Sequence, residues 1–152
     1  MKSITDIFWN KYLDTIGSPL GDAHVEISIA GNIEIADELL NLFLQGKKTA
    51  GSGLVKDFIL AEDDLPKVGN YWMILDSKEV PRCIVKTVKV ERNLFKDISC
   101  EIAKAEGEGD LSVEYWKKVH RSFFTPYLEQ WGITNLDEEE VVTEFFELVY
   151  KE

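Results

Sequence analysis

Two short stretches carry residue types that could do chemistry. Gln45-Gly46-Lys47-Lys48-Thr49-Ala50 puts a glycine, two lysines and a hydroxyl at the end of a periodic segment. Glu106-Gly107-Glu108-Gly109-Asp110 puts three carboxylates and two glycines into five residues. Neither composition suits an apolar core, because an unpaired buried charge is costly. Each belongs in a loop, on a surface, or in a pocket where opposite charges meet. A cationic loop and a carboxylate loop sharing one pocket make a polar binding or reaction site.

The individual residues leave alternatives open. Lys48 can hold an anionic or carbonyl oxygen, or act as a base once desolvated. It can equally be a solvated lysine favoured by the end of a helix dipole. Glu106 and Glu108 read as a general acid/base pair, since burial or a neighbouring carboxylate makes one of two acids hold its proton. They also read as a solvated acidic turn, or as a partner for Lys48 that fixes loop geometry without catalysis. Asp110 is a ligand contact or an N-cap. Trp116, Val119, His120 and Phe123 recur at helical spacing. Trp116 and Phe124 either stack on a base or pack in the core. His120 sits on that stripe as a core or rim residue. His24 is not placed to complete a metal site, so no metal is expected. Of Tyr71 and Trp72, strand alternation sends one inward and one outward. Ser18-Pro19-Leu20-Gly21-Asp22 lacks the lysine and following helix of a phosphate loop. The Asp137–Glu140 run reads as a solvated loop.

Composition bounds the function. The chain has 152 residues, 45% apolar and 11% aromatic. That predicts one folded domain over residues 1–152, able to bury about 70% of its unfolded surface. It has no apolar run of about 18 residues, so no membrane-spanning helix is expected. The start of the chain lacks a signal-peptide pattern. Cys83 and Cys100 form no CxxC, which fits a reducing cytoplasm and speaks against a disulfide scaffold or a zinc site. Net charge is −11, unevenly placed: −5 over residues 1–45, +2 over 46–100 and −8 over 101–152. Extended duplex DNA needs a basic face that this chain lacks. A small ligand, or a local basic groove in the middle third, remains open.

The elements that must position these residues are mixed. Ile4, Ile7, Phe8, Tyr12 and Ile16 predict a helix over 3–16, broken by Gly17-Ser18-Pro19. Val25, Ile27 and Ile29 alternate with polar residues as in a short strand. Asn32 caps the clearest helix, whose stripe is Ala36, Leu39, Leu40 and Phe43, and Gly46 ends it. Tyr71–Leu75 and Val80–Val90 predict a hairpin across Asp76-Ser77-Lys78. Helices are expected over 96–105 and from Ser112 to about Phe124. Val141–Tyr150 predicts a long final strand. The fold class is α+β, antiparallel strands with helices packed around them.

Read in order, these residues resemble a known family. Ile35-Ala36-Asp37-Glu38-Leu39-Leu40 precedes Gly46-Lys47-Lys48-Thr49-Ala50 and Leu65-Pro66-Lys67-Val68-Gly69. The hairpin follows, then Ala103-Lys104-Ala105-Glu106-Gly107-Glu108-Gly109-Asp110. Trp116-x-x-x-His120-x-x-Phe123-Phe124 and Phe145-x-x-x-Val149-Tyr150 complete the series. The series looks like a stand-alone bacterial ASCH-domain protein (activating-signal-cointegrator homology) and covers about Ile35 to Tyr150. The resemblance implies a PUA-like fold, a small antiparallel β-barrel flanked by helices, with residues 1–30 as an N-terminal helical extension. It implies a cleft for RNA or a nucleoside-like small molecule, and no cofactor. Some small members hydrolyse the amide of an acetylated cytidine, and ribonuclease activity is proposed for others.

The family signature is Gly-x-Lys-x-x-Thr. Gly46 and Lys48 match it, and Gly51 stands where the threonine would be. In the amidohydrolase relatives the lysine, that threonine and a downstream glutamate carry the chemistry. The resemblance therefore assigns Lys48 and Glu106, with Ser52 as the substitute hydroxyl. Lys47, Thr49, Glu108, Asp110, Trp116 and His120 are the expected ligand contacts. A positive φ at Gly51 would explain the glycine. The missing threonine favours a binding module over the alternative, a small hydrolase of a modified nucleoside or RNA.

Overall fold

A computed structural model describes residues 2–17 and 23–152. The Ser18–Asp22 stretch lies outside the described residues. The elements are α1 (Ile4–Ile16), β1 (Val25–Ile29), α2 (Ala36–Leu44), β2 (Ala50–Leu54), α3 (Val55–Leu60), β3 (Tyr71–Leu75), β4 (Pro81–Leu94), α4 (Cys100–Glu106), α5 (Val113–Phe124) and β5 (Glu140–Lys151). Five strands form one sheet in the order β1-β3-β4-β5-β2. The β3–β4, β4–β5 and β5–β2 pairs are antiparallel, and β1 runs parallel to β3. Register shifts in β4 and β5 bend the long strands, and the sheet curls into a half-barrel. The fold is α+β, as the order of elements predicts.

Local sequence explains most boundaries. Ser3 and Asp6 form a capping box at the start of α1, and Gly17 closes it in the left-handed conformation. The Asn32 side chain accepts from the Glu34 and Ile35 N–H groups and turns the chain into α2. Ser112, not Asp110, caps α5 by accepting from Tyr115 N–H. Asp110 sets up the preceding turn by accepting from Ser112 N–H at 2.9 Å.

Helices cover both faces of the sheet. Leu39, Leu40 and Phe43 of α2 pack on Ile74, Val85 and Phe146. On the other face α1 buries Phe8 and Tyr12 against Tyr71, Met73 and Ile84. At the β5–β2 end, α4 and α5 bury Ile102, Ala103, Trp116 and Phe124 against Leu54 and Val141. Residues 25–29 are therefore an edge strand of the sheet and not part of a helical extension. On α5 the buried stripe is Trp116, His120 and Phe124, while Phe123 is exposed. Tyr71 is buried, and Trp72 is half-buried under α2.

Two elements were not legible in advance. β2 reads Ala-Gly-Ser-Gly-Leu, a poor strand composition on propensity. It pairs because β5 offers it a complete ladder, with Ser52 opposite Thr143. Gly51 sits in that ladder, its φ is not positive, and a Cβ there would meet the Phe146 ring at 3.5 Å. α3 follows β2 directly and lays Phe58 over Gly53.

The glycine that the fold most requires is Gly107. Its φ is +70°, and a Cβ would lie 2.1 Å from the Lys47 carbonyl oxygen. The loop after α4 thus rests directly on the backbone of the lysine loop. Gly132 has a similar φ of +69° with nothing within 4 Å of its Cβ position. Gly132→Ala should cost only the left-handed penalty, about 1–2 kcal/mol. Gly107→Ala should cost clearly more, because the backbone contact must also open. Urea unfolding of the two variants measures the difference, and equal costs would show that the two loops do not touch.

Candidate functional site

The lysine loop is built by the end of α2. Gly46 takes a φ of +72°, and the Lys47 and Lys48 N–H groups both bond back to Leu42 O. Thr49 then ties the loop to α4: its N–H and its hydroxyl both donate to Ala105 O, at 2.6 and 3.2 Å. This strap turns the Lys48 side chain inward, over the Phe43 ring. Lys48 is 7% exposed and Glu106 2%.

The Lys48 ammonium meets three oxygens. Nζ lies 3.2 Å from Glu106 Oε1, 3.3 Å from Glu106 O and 2.9 Å from Glu108 Oε2. Its three donors are used. The second oxygen of Glu106, Oε2, accepts from Ser52 Oγ at 2.9 Å and from the Trp116 indole N–H. Ser52 Oγ also lies 2.8 Å from Thr143 Oγ1. The Ser52 proton goes to the carboxylate, so Thr143 donates to Ser52. A directed chain runs Thr143 to Ser52 to Glu106.

His120 completes the cluster. Its Nδ1 lies 2.8 Å from Trp116 O, and a carbonyl only accepts, so Nδ1 carries the proton. Nε2 faces Glu106 Oε1 at 3.5 Å and donates to it in the imidazolium form, in which both ring nitrogens carry protons. The imidazole stacks on Trp116, with centroids 3.9 Å apart, and Phe95 covers Trp116 from another side. Neither Trp116 nor Phe124 has an open face for a base, since both are buried in the α5 core.

Burial pushes the Glu106 carboxyl up, and this is the largest single influence on it. Together, the His120 hydrogen bond, the Lys48 charge and the Trp116 donor outweigh it. The carboxyl is held down at about 2 against a usual 4.5. Glu106 is thus a fixed anion, opposite to the raised acid that an acid/base pair with Glu108 would need.

Two cavities adjoin the cluster. The inner one, lined by Ala103, Glu106, Glu108, Tyr115, Trp116 and His120 among others, is too tight for a water molecule. The outer one is a groove of ≈ 590 Å³ lined by residues including Glu38, Lys47, Lys104, Gly107, Glu108 and Tyr115. Glu108 belongs to both. The structure therefore brings together Lys48, Glu106, Ser52, Glu108, Trp116 and His120. Lys47 stands in the outer groove, Thr49 serves as the strap, and Asp110 lines neither cavity. Thr143 was missed; its place opposite Ser52 depends on a β2–β5 pairing that the composition of β2 concealed.

The ASCH domain family model matches residues 26–150. No curated protein matches the chain. Among solved structures, an Enterococcus faecalis V583 protein assigned to DUF984 aligns at TM-score 0.84 and 29% identity, over 96% of this chain and 88% of that one. An ASCH domain from Lactobacillus crispatus aligns at TM-score 0.86 and 24% identity, over 99% and 96%. A mutant ASCH protein from Zymomonas mobilis aligns at TM-score 0.55 and 12% identity, over 87% and 73%.

The buried carboxylate sets an acid limb of stability. A carboxyl whose folded value lies below its unfolded value stabilises the fold above the unfolded value. That contribution is lost as pH falls from about 4.5 towards about 2. It amounts to something on the order of 3 kcal/mol. Glu106→Gln should be less stable than the wild type at pH 7, and the gap should shrink as pH falls through this window. Unfolding curves from pH 7 to pH 2 test it, and a gap independent of pH would remove Glu106 as the source.

Proposed function

The chain belongs to the ASCH domain family, and we propose that it binds a nucleoside-like small molecule where the Lys48–Glu106 cluster meets the outer groove. One observation carries this reading. A desolvated ammonium, a fixed carboxylate and an oriented hydroxyl converge within hydrogen-bond reach of one another. Fixed polar groups of both kinds beside a groove are what orient a small polar ligand. A nucleobase edge and a ribose supply matching donors and acceptors.

Glu108 is the exchangeable member. Its side chain is 21% exposed, against 3% for Glu106. A ligand oxygen can replace Glu108 on Lys48 without breaking the buried pair. Glu106 then holds the ammonium in place for that oxygen. The charge balance of −11 disfavours a long polyanion and favours a small ligand over extended RNA.

The hydrolase reading rests on the Thr143–Ser52–Glu106 chain, at 2.8 and 2.9 Å. It orients a hydroxyl beside a lysine, as hydrolysis of an acylated cytidine would need. Against it, Glu106 is a weak base at about 2. Restoring a threonine at position 51 would not help, because that side chain points to Phe146, on the sheet face away from Ser52.

Thermal shift with the four ribonucleosides and N4-acetylcytidine tests the proposal. A ligand at 100 times its Kd stabilises the native state by about 2.7 kcal/mol. At least one nucleoside should raise Tm, Ser52→Ala should remove the shift, and Glu108→Ala should keep it. No shift with any nucleoside at millimolar concentration would overturn the reading. Turnover of N4-acetylcytidine that Ser52→Ala abolishes would replace binding with hydrolysis.

A further inference from the structure

The outer groove has a backbone feature that the Lys48 cluster does not use. From Gly107 to Leu111 the hand of the backbone alternates. φ is +70° at Gly107, +59° at Gly109 and +67° at Leu111, and it stays negative at Glu108 and Asp110. Glycine takes such angles freely, but leucine does so at a cost. A strained Leu111 in a groove wall is an outlier that calls for an explanation. Alternating hand turns successive N–H groups towards one side, which makes an anion-binding nest.

Two of the five donors there are free. Gly107 N–H bonds to Lys104 O and Leu111 N–H to Glu108 O. Asp110 N–H leans on its own carboxylate. The N–H groups of Glu108 and Gly109 donate to no acceptor among the described residues. Both residues line the groove, and so do Lys47 and Lys104. Two carboxylates face the same space. Glu108 pairs with Lys48 at 2.9 Å as long as no ligand oxygen takes its place there, whereas Glu38 has no ion-pair partner among the described residues.

We propose that this groove holds a phosphate monoester, cradled by the Glu108 and Gly109 N–H groups between Lys47 and Lys104. The site lies next to the Lys48 cluster and shares Glu108 with it. The phosphate therefore extends the nucleoside reading to a nucleotide, and in that respect it rests on that reading. Glu38 opposes the anion and sets a ceiling on its affinity. The ligand then carries charge at one end only, which suits a chain too acidic for a long polyanion.

The test uses inorganic phosphate first, at constant ionic strength, read from the backbone amide resonances of the intact protein. The Glu108 and Gly109 resonances should move and saturate. Lys47→Ala with Lys104→Ala should weaken the binding about 10-fold, since each exposed charge contributes roughly a factor of 2 to 5. Both lysines lie on the surface, so the fold should survive. Glu38→Gln should tighten binding roughly 2- to 5-fold by removing a like charge. The second arm compares a nucleoside with its 5′-monophosphate, which should bind at least about 10-fold tighter. If phosphate moves these amides but no nucleoside binds, the phosphate site stands and the nucleoside reading falls. If the amides stay still, respond equally in the double variant, or the monophosphate gains nothing over the nucleoside, the phosphate site is overturned.

Discussion

One buried carboxylate organises this molecule's functional end. Glu106 spends Oε1 on Lys48 and faces His120 with it; Oε2 takes Ser52 and Trp116. Those four partners come from the lysine loop, β2 and α5. A single side chain thereby fixes how an edge strand, a loop and a helix meet. Taking both charges out of water is expensive, and an apolar replacement of the same shape could be as stable. What the pair confers is position. Once Lys48 is buried, the anion must sit within reach of it, and everything bonded to the anion inherits that position.

The loops obey the same constraint. Gly107 lets the backbone after α4 lie against Lys47 O, and Thr49 bonds Ala105 O from the other direction. The two charged stretches are therefore stitched by backbone contacts before their side chains meet. No buried side-chain polar atom among the described residues is left without a partner. A fully satisfied polar cluster is rigid and specifies one arrangement; a half-satisfied one would favour none. That separates a fixed interior, around Glu106, from an adjustable rim at Glu108.

The fold was legible where periodicity was strong. α2, the β3–β4 hairpin and β5 follow from apolar spacing and β-branched composition, because those patterns answer directly to burial. β2 and α3 were not legible, since Ala-Gly-Ser-Gly-Leu becomes a strand only through what β5 presents to it. Lys48 and Glu106 stood out as charges that needed partners. Their burial did not, nor did the direction in which it moves Glu106. Burial alone favours the neutral acid, and the opposite outcome here comes from three partners, His120, Lys48 and Trp116, that only the packed structure brings together. Trp116 read either as a base-stacking surface or as a core residue, and it is buried, with His120 stacked on it and its N–H on Glu106.

The position of the hydroxyl follows from strand geometry alone. A strand alternates its side chains, so a shift of one residue moves a group to the other face of the sheet. Ser52 pairs with Thr143 and shares the face of α4 and α5, whereas Gly51 pairs with Glu144 and shares the face of α2. A threonine at 51 would project towards Phe146 and could not reach Glu106. Of these two strands, only 52 on β2 and 143 on β5 can turn a hydroxyl towards this carboxylate. The chain has one at each, bonded to one another at 2.8 Å. The glycine at 51 is thus no gap in the site. The pairing of β2 with β5 decides which residue of the loop exit is heard by Glu106, and in this chain that residue is Ser52.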